Sequence, residues 1–143
     1  MKQFFNVEFP ADTIFLKLAT DVTISMCRLA EFDDSTARDI SLAVDEAVTN
    51  TIKHAYHFDK KRRVTLQFTI TETELTIDIR HNGDPISNTE IHLPDMEKYM
   101  KQYQKGGLGI VLMTRIMDSV AYGSVANIHY CRLVMKRGPR HAN

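Results

Sequence analysis

The sequence predicts an α+β sandwich, a mixed, mostly antiparallel sheet covered on one face by helices. Three observations predict it. Alternating apolar and polar residues open the chain, recur as two consecutive runs in its middle and return as a final pair. Apolar residues at helical spacing fill the interval after the first run and again before the last pair. The middle pair is joined by a short polar link and the final pair by a short one, as hairpins are.

The elements follow in order. "KQFFNVEFP" alternates and ends at Pro10, which cannot donate to a sheet ladder. From Ala11 to about Ala30, Ile14, Leu16, Leu18, Ala19, Val22, Ile24, Met26 and Leu29 form an imperfect helical stripe. "EFDDST" breaks that stripe, and Asp34 or Ser35 can cap the next helix. The second helix is expected to reach about Tyr56, burying Ile40, Ala43, Val44, Ala47, Val48, Ile52 and Ala55. "RRVTLQFTI" and "LTIDIRH" read as strands across the turn "TETE". "NGDP" is a strong turn signal. Residues Ile86 to Lys105 are polar and weakly periodic, with a short helix expected at Asp95 to Tyr103. "GGLGIVLMTRIMDSV" starts glycine-rich and continues as a helix, and "VAYGS" with "NIHYCRLVMK" closes the chain as a hairpin.

At 143 residues the chain suits one domain, which buries about two-thirds of its unfolded surface. Lys plus Arg and Asp plus Glu both number 18, so the formal charge is zero. Such a balance argues against direct nucleic-acid binding and against an anionic membrane as partner. No apolar run approaches the roughly 20 residues of a membrane span, and the N-terminus lacks a signal-peptide core. Cys27 and Cys131 stand far apart without a CxxC pattern and read as buried thiols of a reducing compartment. A cytoplasmic protein is expected.

The candidate site begins in "LAVDEAVTN". Four helical residues advance roughly 400° and roughly 6 Å, so Glu46 and Asn50 point the same way one turn apart. The Asn50 amide oxygen is a hard ligand suited to magnesium. Glu46 can accept a proton or orient a hydroxyl. His54, a turn further, extends the polar edge. Spacing of this kind is common on solvated helix faces, and two further segments give it weight. "RHNGDP" sets Gly83 after a strand, where backbone can approach a ligand closely. "GGLG", Gly106 to Gly109, opens a helix whose free N–H groups suit phosphate.

In this order the three segments resemble the GHKL (Bergerat-fold, histidine-kinase-like) ATPases, and among them the bacterial anti-sigma factor serine/threonine kinases. "ISLAVDEAVTNTIKHAY" is similar to that family's N-box, "IDIRHNGDPIS" to its second box and "KGGLGIVLMTRIMDSVAY" to its third. The resemblance covers nearly the whole chain and implies one histidine-kinase-like ATPase domain over residues 1–143. It implies ATP and Mg2+ as cofactors, with Glu46 activating the attacking hydroxyl and Asn50 holding the magnesium. It also implies a nucleotide site formed by Asn50, His81, Gly83, Lys105, Gly107 and Gly109, with an ATP lid from about Asp84 to Gly106. Its implied partners are a STAS-domain anti-anti-sigma factor as phosphoryl acceptor, a sigma factor, and a second copy of the chain in a homodimer.

One residue departs from the pattern. Where the family usually carries the aspartate that hydrogen-bonds the adenine amino group, this chain has His81. Neutral imidazole accepts through one nitrogen alone and carries no charge. Strand alternation sends Asn82 and Asp84 away from that pocket. Two function classes therefore stand side by side. One is an ATP-dependent kinase regulating a sigma factor. The other is an ATP-independent binding module that sequesters a sigma factor or STAS protein. A sensor histidine kinase would need a phospho-accepting helical domain, which is not expected here.

Overall fold

The computed structural model describes residues 2–86 and 107–138, leaving aside the side chains of 107–109. Its order is β1 (Gln3–Pro10), a 3-10 turn (Thr13–Phe15), α1 (Leu16–Leu29), α2 (Asp34–Asn50), a π-helical turn (Thr51–Ala55), β2 (Arg63–Ile70), β3 (Glu74–His81), α3 (Gly107–Ile116), β4 (Ser119–Val125) and β5 (Ile128–Lys136). The five strands form one sheet in the order β1-β2-β3-β5-β4. Every described pairing is antiparallel, so the mixed sheet that the sequence suggested is a purely antiparallel one here. The expected short helix at Asp95 to Tyr103 and all but the first residues of the expected lid lie outside the described residues.

Register follows from alternation. Val64, Leu66, Phe68 and Ile70 on β2, Leu75, Ile77 and Ile79 on β3, and Cys131, Leu133 and Met135 on β5 all turn to one buried face. A slip of one residue would send every one of them to solvent. The opposite face carries Gln67, Thr69, Thr76 and Arg80, together with the two-point ion pair of Arg132 with Asp78 at 2.8 and 3.0 Å.

The helices lie on the apolar face, with α2 packed between α1 and α3. All seven residues expected on the inner side of the second helix, from Ile40 to Ala55, are buried. The N-cap is Asp33 rather than Asp34 or Ser35: its carboxylate accepts from the Thr36 N–H at 2.7 Å. The first helix departs further from expectation. Asp12 caps a 3-10 turn before α1 begins, and the buried line is Ala19, Thr23, Met26, Cys27 and Ala30. Ile14 and Leu29 are 74% and 64% exposed instead. A seam of mostly small residues faces α2, while Leu16, Val22 and Ile24 pack at its margins and Leu18 and Leu29 are left outside. Thr23 joins that seam because its hydroxyl is satisfied by the Ala19 carbonyl at 2.8 Å.

Both cysteines are buried free thiols, each pushed up to about 12 by burial, as expected. No described helix is long and apolar enough to cross a membrane.

Candidate functional site

The site forms where the end of α2 meets the end of β3. The helix changes character at this point. After Asn50 the backbone widens into the π-helical turn Thr51–Ala55, which adds a residue to the turn. Thr51 anchors that change through its hydroxyl, which donates to the Ala47 carbonyl at 2.9 Å. The widened turn carries the Ala55 carbonyl to the β3 end, where it accepts from the Asp84 N–H at 2.9 Å. It also swings His54 into solvent, so His54 does not continue the line from Glu46 and Asn50.

Asn50 is only 7% exposed, yet its side-chain amide hydrogen-bonds to no described residue. Buried amides are nearly always partnered, so one that bonds no described residue is a candidate ligand group. Glu46, one turn earlier, is half-buried, and no described side chain hydrogen-bonds its carboxylate. Burial and then the neighbouring Asp45 push its pKa up, against a smaller downward pull from Lys53. A carboxylate tuned upward in this way is a better proton acceptor. Among the described residues no cluster of three or more His, Cys, Asp or Glu could hold a metal by itself. Magnesium commonly uses one or two protein ligands together with substrate phosphates, and a lone Asn50 amide fits that habit.

The β3 end is built differently, because nearly every polar group there already has a partner. Tyr56 donates its hydroxyl to the Arg63 carbonyl at 2.6 Å and accepts from the Asn82 N–H at 3.0 Å. Arg62 donates to the Asn82 carbonyl and side-chain oxygen, both at 2.8 Å, and stacks over the Tyr56 ring. His57 and Asp84 meet at 2.7 Å, and that contact holds the Asp84 carboxyl below its usual range. Asn82 and Asp84 are thus both committed to neighbouring groups, although Asn82 shares the larger cleft with His81, contrary to what strand alternation suggested. Gly83 has a packing role: a Cβ there would fall against the Ala55 carbonyl oxygen and at 2.7 Å from Tyr56 Cδ1. The close approach inferred from "NGDP" is thus, in this structure, to the chain's own backbone.

His81 is 5% exposed, edge-on to Tyr56 at 5.7 Å and 5.4 Å from the ring of His129, its cross-strand neighbour. Burial first, then His129 and Arg62, hold its pKa down at about 4, so the ring is neutral at pH 7. It borders two clefts. One, of about 480 Å³, runs past Tyr56, Lys61, Arg62, Arg63 and Arg80. The other, of about 150 Å³, is formed with Pro85, Ile86, Tyr122, Ser124 and His129. Neither is lined by Glu46 or Asn50.

Gly107 and Gly109 lie in the first turn of α3, a helix that packs on α2. Lys105 lies outside the described residues. Tyr56, Arg62 and His129 shape the site and were not singled out in the sequence. Tyr56 and Arg62 act through a loop contact, and His129 through strand register, neither of which leaves a mark in local spacing.

A family model described as "Histidine kinase-like ATPase domain" matches residues 9–133. Among curated proteins, the chain is 33% identical over 99 residues to an anti-sigma F factor of Clostridium perfringens, covering 69% of this chain and 70% of that protein. It is 27% identical over 119 residues to the serine-protein kinase RsbW of Listeria monocytogenes, covering 80% and 76%. Among solved structures, the SiaB-SiaC complex from Pseudomonas aeruginosa aligns with a TM-score of 0.62 at 10% identity, over 92% of this chain and 88% of that one. That last likeness speaks for the fold alone.

Proposed function

We propose, because this chain belongs to the histidine kinase-like ATPase family, that it is a serine/threonine protein kinase of the anti-sigma type. It binds ATP with Mg2+ and phosphorylates a STAS-domain anti-anti-sigma protein, and through that partner it regulates a sigma factor in the cytoplasm as a homodimer. The observation that carries this reading is the buried Asn50 amide, which hydrogen-bonds no described residue, one helical turn from a half-buried Glu46.

Asn50 would hold the magnesium that accompanies the nucleotide phosphates. The metal, when bound, supplies positive charge where negative charge builds up during phosphoryl transfer. Glu46 accepts the proton of the acceptor hydroxyl as its oxygen attacks, and its raised pKa suits it to that task. The first turn of α3, with Gly107 and Gly109, offers backbone N–H groups to phosphate oxygens.

A second reading draws on His81. A site that has lost the carboxylate at its base end suits an ATP-independent module that binds a sigma factor or STAS protein by its surface. Calorimetric titration with ATP and Mg2+ separates the two. The kinase reading expects saturable, magnesium-dependent binding that disappears in Asn50→Ala. Binding that is equally magnesium-dependent in that variant would remove Asn50 from the site. No binding at millimolar ATP would leave the binding module.

A further inference from the structure

The imidazole of His81 has a defined tautomer. The Gly83 N–H donates to His81 Nδ1 at 3.1 Å, and a ring nitrogen that accepts carries no proton. The neutral ring therefore keeps its proton on Nε2. That N–H is buried with the rest of the side chain, and no described residue supplies an acceptor for it. Buried donors without acceptors are rare in native proteins and mark places where a ligand or water completes the bond. The cleft beside the ring, with Pro85, Ile86, Tyr122, Ser124 and His129, holds about 150 Å³. A single water, with a share of roughly 30 Å³ in the liquid, does not fill it.

A carboxylate at this position would present an acceptor, whereas His81 presents a donor. Adenine carries an amino donor at its six-position, and guanine and hypoxanthine carry a carbonyl acceptor there. We propose that His81 is the base-selecting residue of the nucleotide site and that its Nε2–H favours purines with a six-position carbonyl, so that ITP and GTP bind better than ATP. The inference rests on the nucleotide-site reading above. It follows from reversing one hydrogen bond: a donor facing the adenine amino group leaves two donors opposed, and a donor facing a carbonyl leaves both groups satisfied. Gly83 has two parts in this, since its lack of a Cβ lets the turn close on Ala55 and its N–H then sets the tautomer.

Calorimetry of the wild-type chain with the magnesium complexes of ATP, ITP and GTP tests it. ITP isolates the six-position, and GTP adds the two-amino group. ITP is expected to bind roughly 5- to 150-fold more tightly than ATP, the range set by gaining or losing one buried hydrogen bond. His81→Asp should reverse the order. A long-range proton–nitrogen spectrum of the unliganded wild type should place the imidazole proton on Nε2, a measurement that does not depend on any variant folding. ATP binding as tightly as ITP, or more tightly, overturns the inference and leaves the nucleotide site intact. So does a proton found on Nδ1. Binding of none of the three nucleotides overturns both the inference and the kinase reading.

Discussion

The two ends of the candidate site are built on opposite principles. On α2, Glu46 and Asn50 sit at the edge of an apolar stripe with their polar atoms unspent on described neighbours. At the end of β3, nearly every polar group is committed: Asn82 to Tyr56 and Arg62, Asp84 to His57, and the Gly83 N–H to His81. A helix presents side chains outward without help, because its backbone hydrogen bonds are internal. A strand end running into a turn has backbone groups to satisfy, and nearby side chains are recruited to do so. Changes on the helix should therefore fall on chemistry, and changes in the corner should fall on stability.

The largest effect is expected at the helix end. Glu46→Gln keeps shape and hydrogen-bonding capacity but removes basicity, and phosphorylation of a STAS-domain acceptor should fall by roughly 10²- to 10⁴-fold. Nucleotide affinity should change little. The unfolding midpoint at pH 7 should not drop, because the raised pKa means the folded state disfavours the Glu46 charge that this change removes. An equal loss of rate and affinity, or a lowered midpoint, would make Glu46 structural and erase the contrast.

Gly83→Ala should do the reverse. Its Cβ would meet the rigid Ala55 backbone rather than a flexible side chain, and the variant should lose about 3 kcal/mol in urea unfolding. A loss below about 0.5 kcal/mol, the range of ordinary surface changes, would mean that the corner yields easily.

A smaller effect is expected from pH. The pKa of His81 is depressed to about 4 from a usual 6.5, by burial first and then by His129 and Arg62. The folded state thus binds this proton more weakly than the unfolded chain does. The associated stability is present above about pH 6.5 and is lost as pH falls towards 4, which amounts to about 2 kcal/mol between pH 7 and pH 5. Asp45 and Glu46, with raised values, act in the opposite sense, so the comparison must be with His81→Asn. Urea unfolding at the two pH values should show the variant losing less than wild type by about that amount. Equal acid sensitivity would show that the ring is not held neutral by its surroundings.

Periodicity alone determined the inner face of α2, the alternation of β2, β3 and β5, and the placing of Glu46 and Asn50 together, because each depends only on the repeat of a single element. The resemblance in three boxes named the family for the same reason, since those boxes are local strings. Which residues of α1 turn inward was decided by its packing on α2, and close approach favoured Ala19, Thr23 and Cys27 over Leu18 and Leu29. The partner of Gly83, the commitment of Asn82 and Asp84, and the tautomer of His81 were likewise decided by tertiary structure. The first two depend on contacts between the end of α2 and the end of β3 across separations of about 25 to 30 residues, and the tautomer on the short turn that those contacts close, so no local pattern encodes them.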